Sequence, residues 1–106
     1  MAFDVFLTSV AKEQLKALRL YDRRRITEEM EKQLKRQPDV ETKNRKRLEN
    51  VELSFDYDPP IWELRVGEFR VFYDLQVDQE TVTVRRIFRK RPDQTTEEVL
   101  NETNND

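Results

Sequence analysis

Apolar positions along the chain change spacing several times, and each change marks an element. Phe3, Val5 and Leu7 alternate with their neighbours, the period-two pattern of a strand over residues 2–7. Ala11, Leu15 and Leu18 then follow at helical spacing, with Thr8 or Ser9 available as N-cap, which predicts a helix over Ser9–Leu20. Asp22 can cap a second helix, in which Ile26, Met30 and Leu34 recur every four residues until Pro38 stops it. Asp39–Pro60 keeps no sustained period, although Leu48, Val51, Leu53 and Phe55 offer apolar anchors. A connection this long without structure of its own is uncommon in a small domain and is often functional or mobile.

Period two returns over Trp62–Tyr73, which reads as a hairpin turning at Gly67-Glu68. Gly67 is the only glycine of the chain, and a glycine at the first central position suits a type II′ turn, where φ is positive. That turn sets Val66 opposite Phe69, Leu64 opposite Val71 and Trp62 opposite Tyr73, one apolar column for the core. On the other face it sets Arg65 opposite Arg70, and like charges directly opposite destabilise a sheet. The second strand runs on through Leu75 and Val77, Asp78-Gln-Glu80 turns the chain, and Thr81–Lys90 forms a last strand ended by Pro92. Thr95–Leu100 fits one capped helical turn, and Asn101–Asp106 is polar enough to fray. The predicted order is β-α-α-β-β-β, an α+β fold with two N-terminal helices packed on a small antiparallel sheet. Residues 1–92 form the domain, and 93–106 a short, partly disordered C-terminal segment.

Composition narrows the chemistry. The 106 residues suit one domain, with 36% hydrophobic and 40% charged residues, so the core is small and the surface ionic. With no cysteine and no histidine, disulfides and thiolate or imidazole chemistry are excluded. General acid–base work falls to Lys, Tyr, Glu or Asp. No apolar run reaches the roughly 20 residues of a membrane span, and the start is unlike a signal peptide. The net charge of −2 hides blocks of opposite sign. Arg19–Arg47 holds eleven bases against six acids, Leu48–Leu64 five acids and no base, and Arg85–Arg91 five bases and no acid. Such blocks allow a basic groove on a chain of acidic pI.

Arg65 and Arg70 on the outer face of the hairpin, Lys90 with Arg89 and Arg91 at the end of the last strand, and Lys43, Arg45, Lys46 and Arg47 from the connection are expected to converge. Phe72 lies between them as a stacking surface. Guanidinium forks match phosphate geometry, and aromatic faces accept bases. The same residues also fit a structural ionic sheet, with Glu63 and Glu68 as ion-pair partners and the basic last strand protecting an edge. One glycine rules out a glycine-rich phosphate loop.

The hairpin Trp-Glu-Leu-Arg-Val-Gly-Glu-Phe-Arg-Val-Phe-Tyr-Asp resembles the central signature of the RelE/ParE superfamily, the toxins of bacterial type II toxin–antitoxin pairs. Val40-Glu-Thr-Lys-Asn-Arg-Lys46, the helical pair and the strand ending at Lys90 extend the likeness over about residues 2–92. RelE-like members cut messenger RNA in the ribosomal decoding site without metal, by helping the 2′-hydroxyl attack the adjacent phosphate. ParE-like members inhibit DNA gyrase. The resemblance therefore implies a toxin that cleaves ribosome-bound message, with gyrase inhibition or a non-catalytic antitoxin-binding role as the alternatives. It implies a cytoplasmic protein with a cognate antitoxin, no cofactor and no membrane partner.

Residue by residue, Arg70 falls on the arginine that stabilises charge on the scissile phosphate, and Arg65 on a neighbouring basic position. Lys90 falls near a second functional arginine. Lys43, Arg45, Lys46, Arg47, Arg89, Arg91 and Phe72 become candidate RNA contacts. Ile61 and Glu63 stand where RelE-like enzymes carry a lysine pair, which leaves the part of general base to Glu63, Glu68 or Tyr73, with Glu63 among the candidate catalytic residues. The family's C-terminal tyrosine is absent, with Thr95 and Thr96 near its place.

Overall fold

The computed structural model describes residues 2–102. Its elements run β1 (Asp4–Leu7), α1 (Ser9–Lys16), α2 (Leu20–Leu34), β2 (Arg45–Arg47), β3 (Trp62–Val66), β4 (Phe69–Gln76), β5 (Thr81–Arg89) and α3 (Thr96–Glu102). The frayed end expected for 101–106 falls partly on α3, and residues 103–106 lie outside the described residues.

The five strands form one sheet in the order β1-β5-β4-β3-β2. The hairpin register agrees with expectation: Trp62 pairs with Tyr73, Leu64 with Val71, Arg65 with Arg70 and Val66 with Phe69. Gly67 takes φ +57, while Glu68 is not among the positive-φ residues, the φ signs of a type II′ turn. Two features depart from a plain antiparallel meander. β1 runs parallel to β5, Asp4 beside Thr81. The basic run of the connection also contributes a strand, since Arg45, Lys46 and Arg47 pair with Leu64, Glu63 and Trp62. Three basic residues carry no apolar alternation, so their pairing is set by the β3 edge and not by their own pattern.

The helical boundaries also shift. Thr8 caps α1 as expected, its Oγ1 accepting from Ala11 N at 3.2 Å, but the helix ends at Lys16 and not at Leu20. Arg19 then takes extended backbone as N-cap of α2, so Asp22 lies in the first turn and is not the cap. An acid there is favoured by the helix dipole. Its buried carboxylate accepts from Arg19 Nε at 3.3 Å and from Arg89 Nη2 at 3.4 Å. Past β4 a single 3-10 turn, Val77–Gln79, leads to Glu80 in the left-handed region, one residue earlier than the expected turn.

Both faces of the sheet are covered. On one, Ala11, Ile26, Met30 and Leu34 of the helices meet Trp62, Leu64, Val66, Phe69, Val71, Tyr73, Val82, Val84 and Ile87. The Tyr73 hydroxyl donates to Pro38 O at 2.7 Å, so this deeply buried phenol ties β4 to the segment that follows α2. On the other face Ile61 and Phe72 form a second cluster with Leu48, Val99 and Leu100, flanked by Val51, Leu53, Phe55, Tyr57 and Phe88. The aperiodic segment is thus a cover over the sheet. Its clamp is Asp74, fully buried, which accepts from the Asp58 backbone N–H, from Gln76 Nε2 at 2.9 Å and from Arg85 Nε at 2.9 Å. A bulge at Phe72/Tyr73 inserts Arg85 into β5 and aims it at that carboxylate.

Candidate functional site

Strand alternation divides the basic residues between the two faces of the sheet. On the face away from α1 and α2, two rows cross the strands. One reads Lys46, Glu63, Phe72, Arg86 and the other Arg65, Arg70, Phe88. Arg65, Arg70 and Glu63 therefore do come together, as the sequence implies.

Within this group Arg65 is exposed, and its side chain makes no hydrogen bond or ion pair among the described residues. Arg70 differs sharply, being only 7% exposed. Its Nη1 donates to Gly67 O and to Phe69 O, each at 2.8 Å, and its Nε is buried without a partner. Burial lowers the Arg70 pKa from its ordinary value, the Glu63 carboxylate raises it, and the Arg65 guanidinium lowers it again. Two cations stacked across a hairpin with a single nearby carboxylate leave the spot electrostatically suited to a further anion. Glu63 is itself buried and accepts from Thr96 Oγ1 at 2.8 Å, so α3 sits directly on the candidate base.

Lys46 lies exposed in register with Glu63, and Lys43 is exposed one bend earlier. Lys90 is half-buried just past β5, its backbone N–H donating to Glu68 O at 2.7 Å, and Arg91 beyond it is exposed. Of these, Lys46 shares a row with Glu63 and Lys90 lies beside the hairpin turn.

Four expected RNA contacts are not open at this site, three because they alternate to the helix side and Phe72 because it is buried. Arg45 is buried on the helix side, where Nε donates to Val40 O at 3.0 Å and Nη1 to Gln33 O and Oε1 at 2.8 and 2.9 Å. It locks β2 to α2 and has no donor turned toward the Arg65 face. Arg89 also alternates to the helix side, over the Phe69 ring at 5.0 Å, and pairs with Asp22 and Glu68. Phe72 is fully buried against Phe88, ring centroids 5.8 Å apart, so neither ring face is open to a base. Arg47 shares the helix-side register and pairs with Glu49 at 3.0 Å.

Sequence reasoning passed over Asp74, Arg85 and Arg25, and noted Thr96 only as standing near the place of the absent tyrosine. Asp74 continues the hairpin motif and sits in period with Phe72, which marks it as facing the cover. Nothing in the sequence announces Arg25, whose guanidinium packs on Gly67. Among the described residues no group of three or more His, Cys, Asp or Glu side chains is placed to hold a metal ion, and no helix is long and apolar enough to cross a membrane.

A family model described as the ParE toxin of the type II toxin–antitoxin system parDE matches residues 5–93. Among solved structures, the chain resembles the archaeal RelE–RelB complex from Pyrococcus horikoshii OT3, at 17% identity and a TM-score of 0.66, covering 89% of this chain and 100% of that one. A RelBE-type toxin–antitoxin complex from Mycobacterium tuberculosis matches at 18% identity and a TM-score of 0.63, covering 85% and 100%. The isolated RelE toxin of E. coli matches at 13% identity and 0.59, covering 88% and 89%. At such identities the likeness is one of fold. No curated protein matches by sequence.

Proposed function

The chain belongs to the ParE toxin family of type II toxin–antitoxin systems, within the RelE/ParE superfamily, and from that premise we propose that it is a RelE-like endoribonuclease acting on ribosome-bound messenger RNA. The observation that carries this reading is the Arg65–Arg70 pair, with one guanidinium open to solvent and the other buried with an unpartnered Nε. Such a pair is costly in an idle sheet and favourable once a phosphodiester lies across it. The 2′-hydroxyl attacks the adjacent phosphorus, the bond to the 5′-oxygen breaks, that oxygen takes a proton from water, and a 2′,3′-cyclic phosphate remains. Arg70 and Arg65 offset charge growing on the phosphoryl oxygens, Lys90 adds a cation nearby, and Glu63 accepts the 2′ proton once it exchanges Thr96 for substrate. Fixed donors aimed at developing charge are worth about 3–4 kcal/mol each in a dry site.

A cognate antitoxin silences the toxin in this reading. Its support is that the relatives from Pyrococcus horikoshii and Mycobacterium tuberculosis are toxin–antitoxin complexes.

Induced expression of the chain alone should stop growth and cut message on ribosomes, and a folded Arg70→Ala variant should do neither. Growth without cleavage would refute the enzyme reading.

A second reading, gyrase inhibition, draws on the ParE family match over residues 5–93 and on one observation of the site. The Glu63 carboxylate is buried under Thr96 and not poised at a reacting atom. Supercoiling by purified gyrase, with and without the chain, separates the two.

A further inference from the structure

The β3–β4 turn is gripped by two arginines. Arg70 reaches it along the sheet and bonds Gly67 O. Arg25 reaches it from α2, and its guanidinium lies where a side chain at residue 67 would begin, Nη2 being 2.2 Å from an ideal Cβ and Cζ 2.7 Å. Gly67 therefore serves two ends, a positive φ and a surface flat enough for a guanidinium plane to rest on.

Arg25 has no hydrogen bond or ion pair among the described residues, and it lines an open concavity with Leu20, Tyr21, Arg24 and Glu28. Glu28 is the one acid lining that concavity and shares it with Arg24 as well as Arg25, while the acids around the hairpin are engaged. Asp22 holds Arg19 and Arg89, Glu68 holds Arg89, and Glu63 holds Thr96. Two guanidinium groups touching one glycine, with Arg65 opposite Arg70, leave an excess of positive charge at the tip of the hairpin. Planar forks in this arrangement match the paired oxygens of a phosphodiester.

We propose that Arg25, Arg65 and Arg70 form one continuous seat for two neighbouring phosphates over the Gly67 turn, with Arg25 as an RNA-binding residue contributed by α2. An RNA strand crosses the hairpin tip from the Arg65 side toward α2. Its scissile phosphate lies at Arg70, and a neighbouring phosphate at Arg25. This rests on the ribonuclease reading for the identity of the strand, and it adds a contact outside the signature hairpin.

The probe is a short fluorescein-labelled single-stranded RNA titrated with the full chain at several salt concentrations, with cleavage of ribosome-bound message followed in parallel. Arg25→Gln should weaken binding about five- to tenfold and flatten the salt dependence by about 0.7 in log–log slope, one phosphate contact for a single strand. Arg25→Lys, which keeps the charge and loses the fork, should restore most of the slope and only part of the affinity. Arg36→Gln, two residues past the end of α2, removes the same charge and should leave both unchanged. Matching melting curves confirm that the variants are folded.

If the wild type cleaves message and Arg25→Gln behaves like Arg36→Gln, the seat is wrong and the ribonuclease reading stands. If the wild type binds RNA through Arg25 but never cuts message, the seat stands and the ribonuclease reading falls. A chain that binds no RNA at all overturns both.

Discussion

At the scale of the residue, Gly67 and Tyr73 carry the sharpest expectations. A Gly67→Ala variant meets both a left-handed backbone and the Arg25 guanidinium. It should lose about 1–3 kcal/mol in urea unfolding, more than a glycine constrained by φ alone. Tyr73 donates to Pro38 O from a site where burial raises its pKa, with Arg45 opposing and Asp39 reinforcing the shift. The folded state thus holds the phenolic proton beyond the ordinary value of 10.0. Its contribution is complete below that pH and fades as the pH climbs above it. Tyr73→Phe should cost about 1 kcal/mol near neutrality and should flatten part of the alkaline decline in a denaturation series. The opposition of Arg65 to Arg70 was legible because one glycine sets the register. The burial of Phe72 and Arg45 was not, since each depends on segments that meet it only in space.

Among the elements, the least periodic piece of chain proves the most consequential for the site. Residues 48–60 hold no repeat because they cross the sheet as a cover. Their apolar residues are spaced by the pockets beneath them and not by a helical or strand period. Asp74 fastens this cover, so Asp74→Asn should raise amide exchange over 48–60 well above that of β3 and β4, measured by hydrogen–deuterium exchange. Helix α3 closes the rest. Val99 and Leu100 are almost fully buried on Ile61 and Phe72, and ending the chain after Asp93 should cost about 3 kcal/mol or more. A truncated chain that melted with the full-length one would show that this second cluster adds nothing to stability. β2 stayed hidden for a related reason, because a strand of three bases is defined by the edge that accepts it.

For the whole molecule, the alternating blocks of charge sort onto opposite sides of one sheet. Arg45 and Arg89 serve the helix layer, while Arg65 and Arg70 serve the other face, and an overall charge of −2 conceals both. The α+β order was legible as a whole because strand and helix periods alternate cleanly along most of the chain. The parallel pairing of β1 with β5 was not, since neither strand's pattern names its partner. That pairing joins Asp4 to Thr81 and Leu7 to Val84, so the first strand finds its neighbour only in the last. Contacts this distant in sequence slow folding and come late. A fragment ending at Glu80 should accordingly show no cooperative melting transition, and a sharp one would refute the dependence. During synthesis β1 waits for its partner until Arg89 has left the exit tunnel, so the sheet that carries Arg65 and Arg70 closes only after all five strands have been made.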